Sequence, residues 1–209
     1  MIIWTMLTLF AVSLLGGMKT AYGMELWKQD EPSFWKIWSK KPMYLWAGVW
    51  LSACILVWIC SGWSVTAVRL LDLFVTYGIL AAIDGKRKIV PDEILFCYLA
   101  GQMLLGALLM DPIQLFQVCL TGVIFLAVLL AVSWLSRGKM GMGDAKLLGV
   151  TAMTAGWNYT FQVLVLAMAL SLVYSLFLLL ICRKSVKTEF PFVPFLTAGM
   201  AVYAFLTMI

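Results

Sequence analysis

The run IQLFQVCLTGVIFLAVLLAVSWL, from Ile113 to Leu135, contains no charged residue. A helix of that length rises about 35 Å, enough to cross a hydrocarbon core of about 30 Å. Outward from it, similar apolar runs lie at 2–22, 43–61, 64–83, 94–110, 145–157, 159–182 and 191–208. The run at 145–157 is short for a full crossing, so a tilted helix or one lined by polar protein interior is expected there. Of 209 residues, 64% are hydrophobic and 12% charged, against about 25% charged in a soluble domain. Mean hydropathy is +0.99. About 134 apolar residues fill seven or eight spans of about 20 each and leave little for loops. A soluble enzyme, a secreted disulfide scaffold, a disordered chain and an anchored soluble head are all excluded. The expected fold class is all-α: a polytopic membrane helical bundle of about eight transmembrane helices.

Charge alternates along these runs. Four connecting segments hold nearly all the cations: Lys19 to Lys41; Lys86, Arg87 and Lys88; Arg137 and Lys139 with Lys146; and Arg183, Lys184 and Lys187. The turns near 62–63, 111–112 and 157–158 carry none. By the positive-inside rule the basic segments face the cytoplasm and both termini lie outside. Fourteen of the 15 cations obey this arrangement, Arg69 being the exception. The net charge of +5 therefore reports topology first, and no nucleic-acid partner is expected. The first run lacks a basic n-region and a small-residue cleavage site, so it reads as a retained span.

Histidine is absent, which removes a histidine base, a Ser-His-Asp triad and a histidine metal site. Cys54, Cys60, Cys97, Cys119 and Cys182 form no C-x-x-C pair and sit in apolar runs, as small core residues do. No metal or cofactor is expected. The stretch Gly23 to Pro42 sets Phe34, Trp35 and Trp38 on one side of a short amphipathic helix among lysines, which suits the headgroup level.

Ten acidic residues are few enough to take singly. Glu25, Asp30, Glu31 and Glu189 fall in cytoplasmic segments, and Asp111 precedes Pro112 in an outside turn. Asp72 lies inside a span three residues after Arg69, so the two share a helix face and are expected to pair. Asp92 follows Pro91 and opens a span, where N-capping is its default role.

Two aspartates remain. Asp84 ends its span in Ile83-Asp84-Gly85-Lys86-Arg87-Lys88-Ile89-Val90-Pro91-Asp92, and Asp144 begins another in Gly141-Met142-Gly143-Asp144-Ala145-Lys146-Leu147. The topology puts both at one membrane boundary. Two carboxylates converging in a partly desolvated site share one proton, because both cannot ionise cheaply at close range. One then takes a proton from water while the other polarises a peptide carbonyl, which is peptide hydrolysis without histidine, serine or metal. Gly141 and Gly143 permit positive φ and close backbone approach before a helix whose N-terminus favours a carboxylate. The plainer alternative is that Asp144 is a helix N-cap and the glycines shape a tight loop.

The heptapeptide Gly141 to Leu147 resembles the G-x-G-D-x-K-L signature of type IV prepilin leader peptidases. Asp84, with Pro91-Asp92 after six intervening residues, is similar to that family's first aspartate motif. Phe190-Pro191-Phe192-Val193-Pro194-Phe195-Leu196 with Gly199 is similar to its C-terminal proline-containing motif. The resemblance covers about residues 64–205. It implies a multi-pass aspartic protease of the bacterial plasma (inner) membrane that cuts the basic leader from prepilins or pseudopilins on the cytoplasmic side, with lipid bilayer and substrate as its partners. Asp84 and Asp144 would be catalytic, with Gly141, Gly143, Lys146, Pro91, Asp92, Pro191 and Pro194 as motif support. The implied organisation is a pair of N-terminal spans over 1–63, with a basic, aromatic loop at 24–42, then a catalytic membrane domain over 64–209. Many members also carry paired C-x-x-C motifs in a cytoplasmic region between the first two spans and methylate the product. The stretch Gly23 to Pro42 has no cysteine, so a peptidase without methyltransferase activity is expected. Two other readings compete: a presenilin-like intramembrane G-x-G-D protease, whose first aspartate sits mid-span after a tyrosine, and a small transporter using membrane-edge carboxylates.

Overall fold

The computed structural model describes residues 2–28, 41–61, 65–135, 141–180 and 191–208, and among these every regular element is helical. The helices are α1 (Ile2–Lys28), α2 (Lys41–Ser61), α3 (Val65–Arg87), α4 (Asp92–Leu109), α5 (Pro112–Leu135), α6 (Met142–Ala155), α7 (Trp157–Leu180) and α8 (Val193–Met208). Each apolar run of the sequence is thus a helix. Two of them, α5 and α7, are long and apolar enough to cross a membrane. Their outer surfaces carry large exposed apolar side chains such as Phe116, Trp134, Leu172 and Leu180, which water would penalise and lipid tails would not. The chain divides into two compact units, Met1–Ile79 with Pro91–Cys119, and Leu80–Val90 with Leu120–Ile209. The expected amphipathic helix around Phe34, Trp35 and Trp38 lies outside the described residues, as do Arg137, Lys139, Arg183, Lys184 and Lys187.

In the first unit α1 packs on α2 and α4. It runs past residue 22 to Lys28 because Met18, Tyr22 and Leu26, spaced by four, continue one buried stripe. Helices approach where side chains vanish: a Cβ on Gly17 would lie 2.4 Å from the Ala47 backbone nitrogen. Trp50 Nε1 donates to Thr20 Oγ1 at 2.9 Å, and that hydroxyl donates to the Gly16 carbonyl at 2.8 Å.

The charges inside this unit correct two expectations. Lys19 does not lie in a connecting segment. It is buried within α1 and forms a salt bridge with Asp72 of α3, while donating to Thr76 Oγ1 at 2.8 Å. The Trp50 and Tyr98 rings lie 5.4 and 5.3 Å from its ammonium. Nor is Arg69 the close cation on Asp72: Arg69 Nε donates to Gln102 Oε1 at 2.9 Å, and Gln102 Nε2 donates to Asp72 Oδ2 at 3.0 Å. A carboxylate in such surroundings needs its counter-charge at hydrogen-bond distance, and α1 supplies it from 53 residues away.

In the second unit α7 and α8 run antiparallel. Thr160, Val163 and Ala167 form the buried stripe of α7, and Val193, Leu196 and Met200 that of α8. Gly199 lets the backbones meet, since a Cβ there would sit 3.0 Å from the Val163 carbonyl oxygen. Tyr159 packs edge-on to Tyr203 and Tyr174 against Phe195. Helix α6 is interlocked with α5 by a reciprocal pair: a Cβ on Gly122 would meet Met153 at 2.5 Å, and one on Gly149 would meet Leu126 at 2.5 Å. Buried residues ring α6 from Ala145 to Thr154, which answers why so short a helix is apolar. Gly156, at φ 87°, turns the chain directly into α7.

Candidate active site

Asp84 sits in the last turn of α3, just beyond its apolar run, and is 5% exposed. Its carboxylate faces the start of α8, where the Val193 N–H donates to Oδ2 at 3.0 Å and the Phe192 N–H also donates to the carboxylate. The local sequence explains why those donors are available. A helix begins with N–H groups that have no carbonyl before them. Pro194 has no N–H to place, and the amides of Phe195 and Leu196 both donate to the Phe192 carbonyl, at 3.0 and 3.2 Å. The amides of Phe192 and Val193 are left, and Asp84 accepts both. The proline-containing motif Pro191–Gly199 thereby supplies the bed for the first aspartate.

Asp144 is the third residue of α6 and half-buried. Gly141, not Asp144, occupies the cap position, and no side chain caps the helix. Of the two uses expected of the glycines, positive φ and close approach, only the second is found. Gly141 has φ −59° and Gly143 is helical, so neither uses left-handed backbone. They provide clearance. A Cβ on Gly141 would lie 2.7 Å from Asp144 Oδ2, and one on Gly143 would lie 3.0 Å from the Cβ of Val90. Val90 seated on Gly143 docks the turn that follows Asp84 onto the segment that carries Asp144. That turn starts where the Lys88 N–H donates to the Asp84 carbonyl at 2.8 Å, with Lys88 at φ 54° closing the helix.

The remaining motif residues are placed as follows. Pro91 is buried and is itself the cap of α4 with extended backbone, which displaces Asp92 to the first helical position and ends its assignment as N-cap. A proline residue fits there because the cap needs β-region dihedrals, and Asp92 with Glu93 still complements the helix dipole. Lys146 is partly buried two residues beyond Asp144 on α6. Pro191 and Pro194 flank the two donating amides.

The electrostatics separate the two carboxyls from ordinary surface aspartates. Burial raises Asp84 above the usual carboxylate range, opposed by the amides of Val193 and Phe192 and by the charge of Lys88. Burial pushes Asp144 up to about 6, with the negative charge of Asp84 adding to it. Such a pair holds one proton over a range where isolated aspartates hold none. Among the described residues no three His, Cys, Asp or Glu side chains cluster as metal ligands.

Sequence reasoning passed over two neighbours of the pair, the Phe192 and Val193 main chain and Val90, and, outside this site, the pairing of Lys19 with Asp72. Pro194 was the available signal for the first, because a proline near a helix start removes a competing donor.

Residues 71–176, just over half of the 209, match the type IV leader peptidase family. The chain belongs to that family and is a protease of its kind, aspartic in type. No curated protein and no solved structure matches it significantly. The matched segment includes Asp84 and Asp144.

Proposed function

We propose that this chain is a membrane aspartic endopeptidase that removes the basic leader of type IV prepilins or pseudopilins at the cytoplasmic face of the bacterial plasma membrane, with Asp84 and Asp144 as its catalytic pair. The observation that carries the reading is the electrostatic coupling of two desolvated carboxyls within one unit of a leader-peptidase chain, Asp84 adding to the elevation of Asp144. A water held between them loses a proton to the ionised carboxylate as its oxygen attacks the scissile carbonyl carbon. The protonated carboxyl gives its proton to the carbonyl oxygen. The C–N bond then breaks as the leaving nitrogen takes up the first proton and the diol returns the second. One proton remains on the pair, as at the start.

Eight crossings with both termini outside put the turn after Asp84 and the segment before α6 on the cytoplasmic side, where a basic leader is retained. The presenilin-like reading is disfavoured because Asp84 ends its helix beside Lys86, Arg87 and Lys88. No methylation is expected from this chain. Cleavage of a co-expressed prepilin, followed by gel shift and N-terminal sequencing, tests the proposal. Wild type should release the leader and leave an unmethylated N-terminus, while Asp84→Asn and Asp144→Asn should accumulate uncut precursor at normal membrane levels. Normal cutting by either variant would overturn the assignment.

A further inference from the structure

We infer that the first turn of α8 assigns the two roles: the main-chain N–H groups of Phe192 and Val193 hold Asp84 as the ionised, water-activating member, and Asp144 carries the proton given to the substrate carbonyl. This rests on the dyad reading above and deepens it.

The argument is an asymmetry of donors. A hydrogen bond from an N–H stabilises a carboxylate far more than a neutral carboxyl, because the anion is the better acceptor. Asp84 receives two such bonds from the positive end of a helix of 16 residues. Among the described residues no donor is directed at the Asp144 carboxyl, and no side chain caps α6. Pro194 sharpens the effect by leaving nothing else at the start of α8 for Asp84 to share. The charged groups that act on the pair are Lys88, just past the end of α3, which favours the Asp84 anion, and the two carboxyls on each other. Helices α5, α7 and α8 carry no charge at all. Lys88 therefore acts in the same direction as the amides.

In the reaction this makes Asp84 the base that takes the water proton and later returns it to the leaving nitrogen. Asp144 donates to the carbonyl oxygen and recovers that proton when the diol collapses. Phe192 and Val193 never touch substrate in this scheme. They are positioning residues.

The test uses the full chain in lipid nanodiscs and a synthetic prepilin-type leader peptide spanning the cut site. Val193→Pro deletes one donor at a first helical position, where proline fits. The acidic limb of the kcat/KM profile should move up by about one pH unit. Val193→Ala keeps the N–H and should leave that limb in place even if turnover drops. An unmoved limb in Val193→Pro would overturn the assignment. A second measurement does not depend on that variant folding. The Val193 amide proton of the wild-type chain, followed by NMR across pH, should titrate with the lower of the two carboxyl midpoints and stop titrating in Asp84→Asn. Titration with the higher midpoint would reverse the roles. Uncut precursor in both aspartate variants alongside a failed amide titration would overturn this inference alone. Normal cleavage in those variants would remove the dyad reading itself.

Discussion

Replacing Asp144 by asparagine should abolish cleavage and yet make the protein more stable at neutral pH. In the folded chain burial and the nearby Asp84 charge push the Asp144 carboxyl up to about 6, while in an unfolded chain it titrates near about 3.9. A folded value above the unfolded one means that the group's contribution to stability is fully present below about pH 4 and is lost as pH rises through about 6. The full difference corresponds to about 3 kcal/mol. Asp144 is only half-buried, and solvent screening reduces this to ~1.5 kcal/mol. In a chain of 209 residues that amounts to about 3–6 °C in Tm. The assay is intrinsic fluorescence during heating, for which 10 tryptophans give ample signal, at pH 4.5, 6 and 7.5 in one detergent. Asp144→Asn should melt close to wild type at pH 4.5 and draw ahead as pH rises. An unchanged or lower Tm at pH 7.5, or an equal gain at all three pH values, would refute the reasoning. The gain would mark Asp144 as a group kept for chemistry at the expense of the fold.

Other substitutions probe the packing around the pair. Gly143→Ala pushes a methyl to 3.0 Å from Val90 and should slow leader cleavage about tenfold by misplacing Asp144, with Val90→Ala restoring most of the rate; wild-type rates in the single variant would mean the docking is incidental. Lys19→Met leaves the buried Asp72 without its ion-pair partner and should cost about 3–5 kcal/mol, read as lost thermal stability, whereas Lys19→Met with Asp72→Leu should recover much of it. Gly199→Leu drives a side chain into the Val163 and Ala167 backbone and should lower stability by about 3 kcal/mol or more, checked by the same melting curves.

The helices were legible because apolar length is a one-dimensional property: all eight runs can be counted along the chain, and the observed ends differ from them by a few residues. The exception is instructive. Helix α1 continues through Tyr22 and Leu26, since a buried stripe outlasts the purely apolar stretch. Asp84 and Asp144 were legible because carboxylates are rare here and theirs stand beside glycines and cations. Their environment was not. The two amides that serve Asp84 come from residues 192 and 193, and main-chain donors leave no letter in a sequence. The partner of Asp72 was missed for a related reason: Arg69 was near in the chain, but Lys19 is near in space. Gly141 and Gly143 were read for freedom of φ and for close approach; only the second is used, and the neighbours that fill the space, Asp144 and Val90, are revealed by position alone.

The interlock of α5 with α6 works as a vernier. Gly122 faces Met153 and Gly149 faces Leu126, so each glycine notch accepts one bulky side chain from the opposite rod. Sliding α6 by one turn, about 5.4 Å, would take Met153 out of its notch and Leu126 off Gly149. Intermediate positions are blocked too, because 2.5 Å of clearance for an absent Cβ leaves no slack. The setting is read out at the far end of α6, where Asp144 stands five residues before Gly149. Two glycines remote from Asp144 thus calibrate the height at which its carboxyl is presented, and a chain that lengthened α6 by one residue between Asp144 and Gly149 would rotate that carboxyl by about 100°.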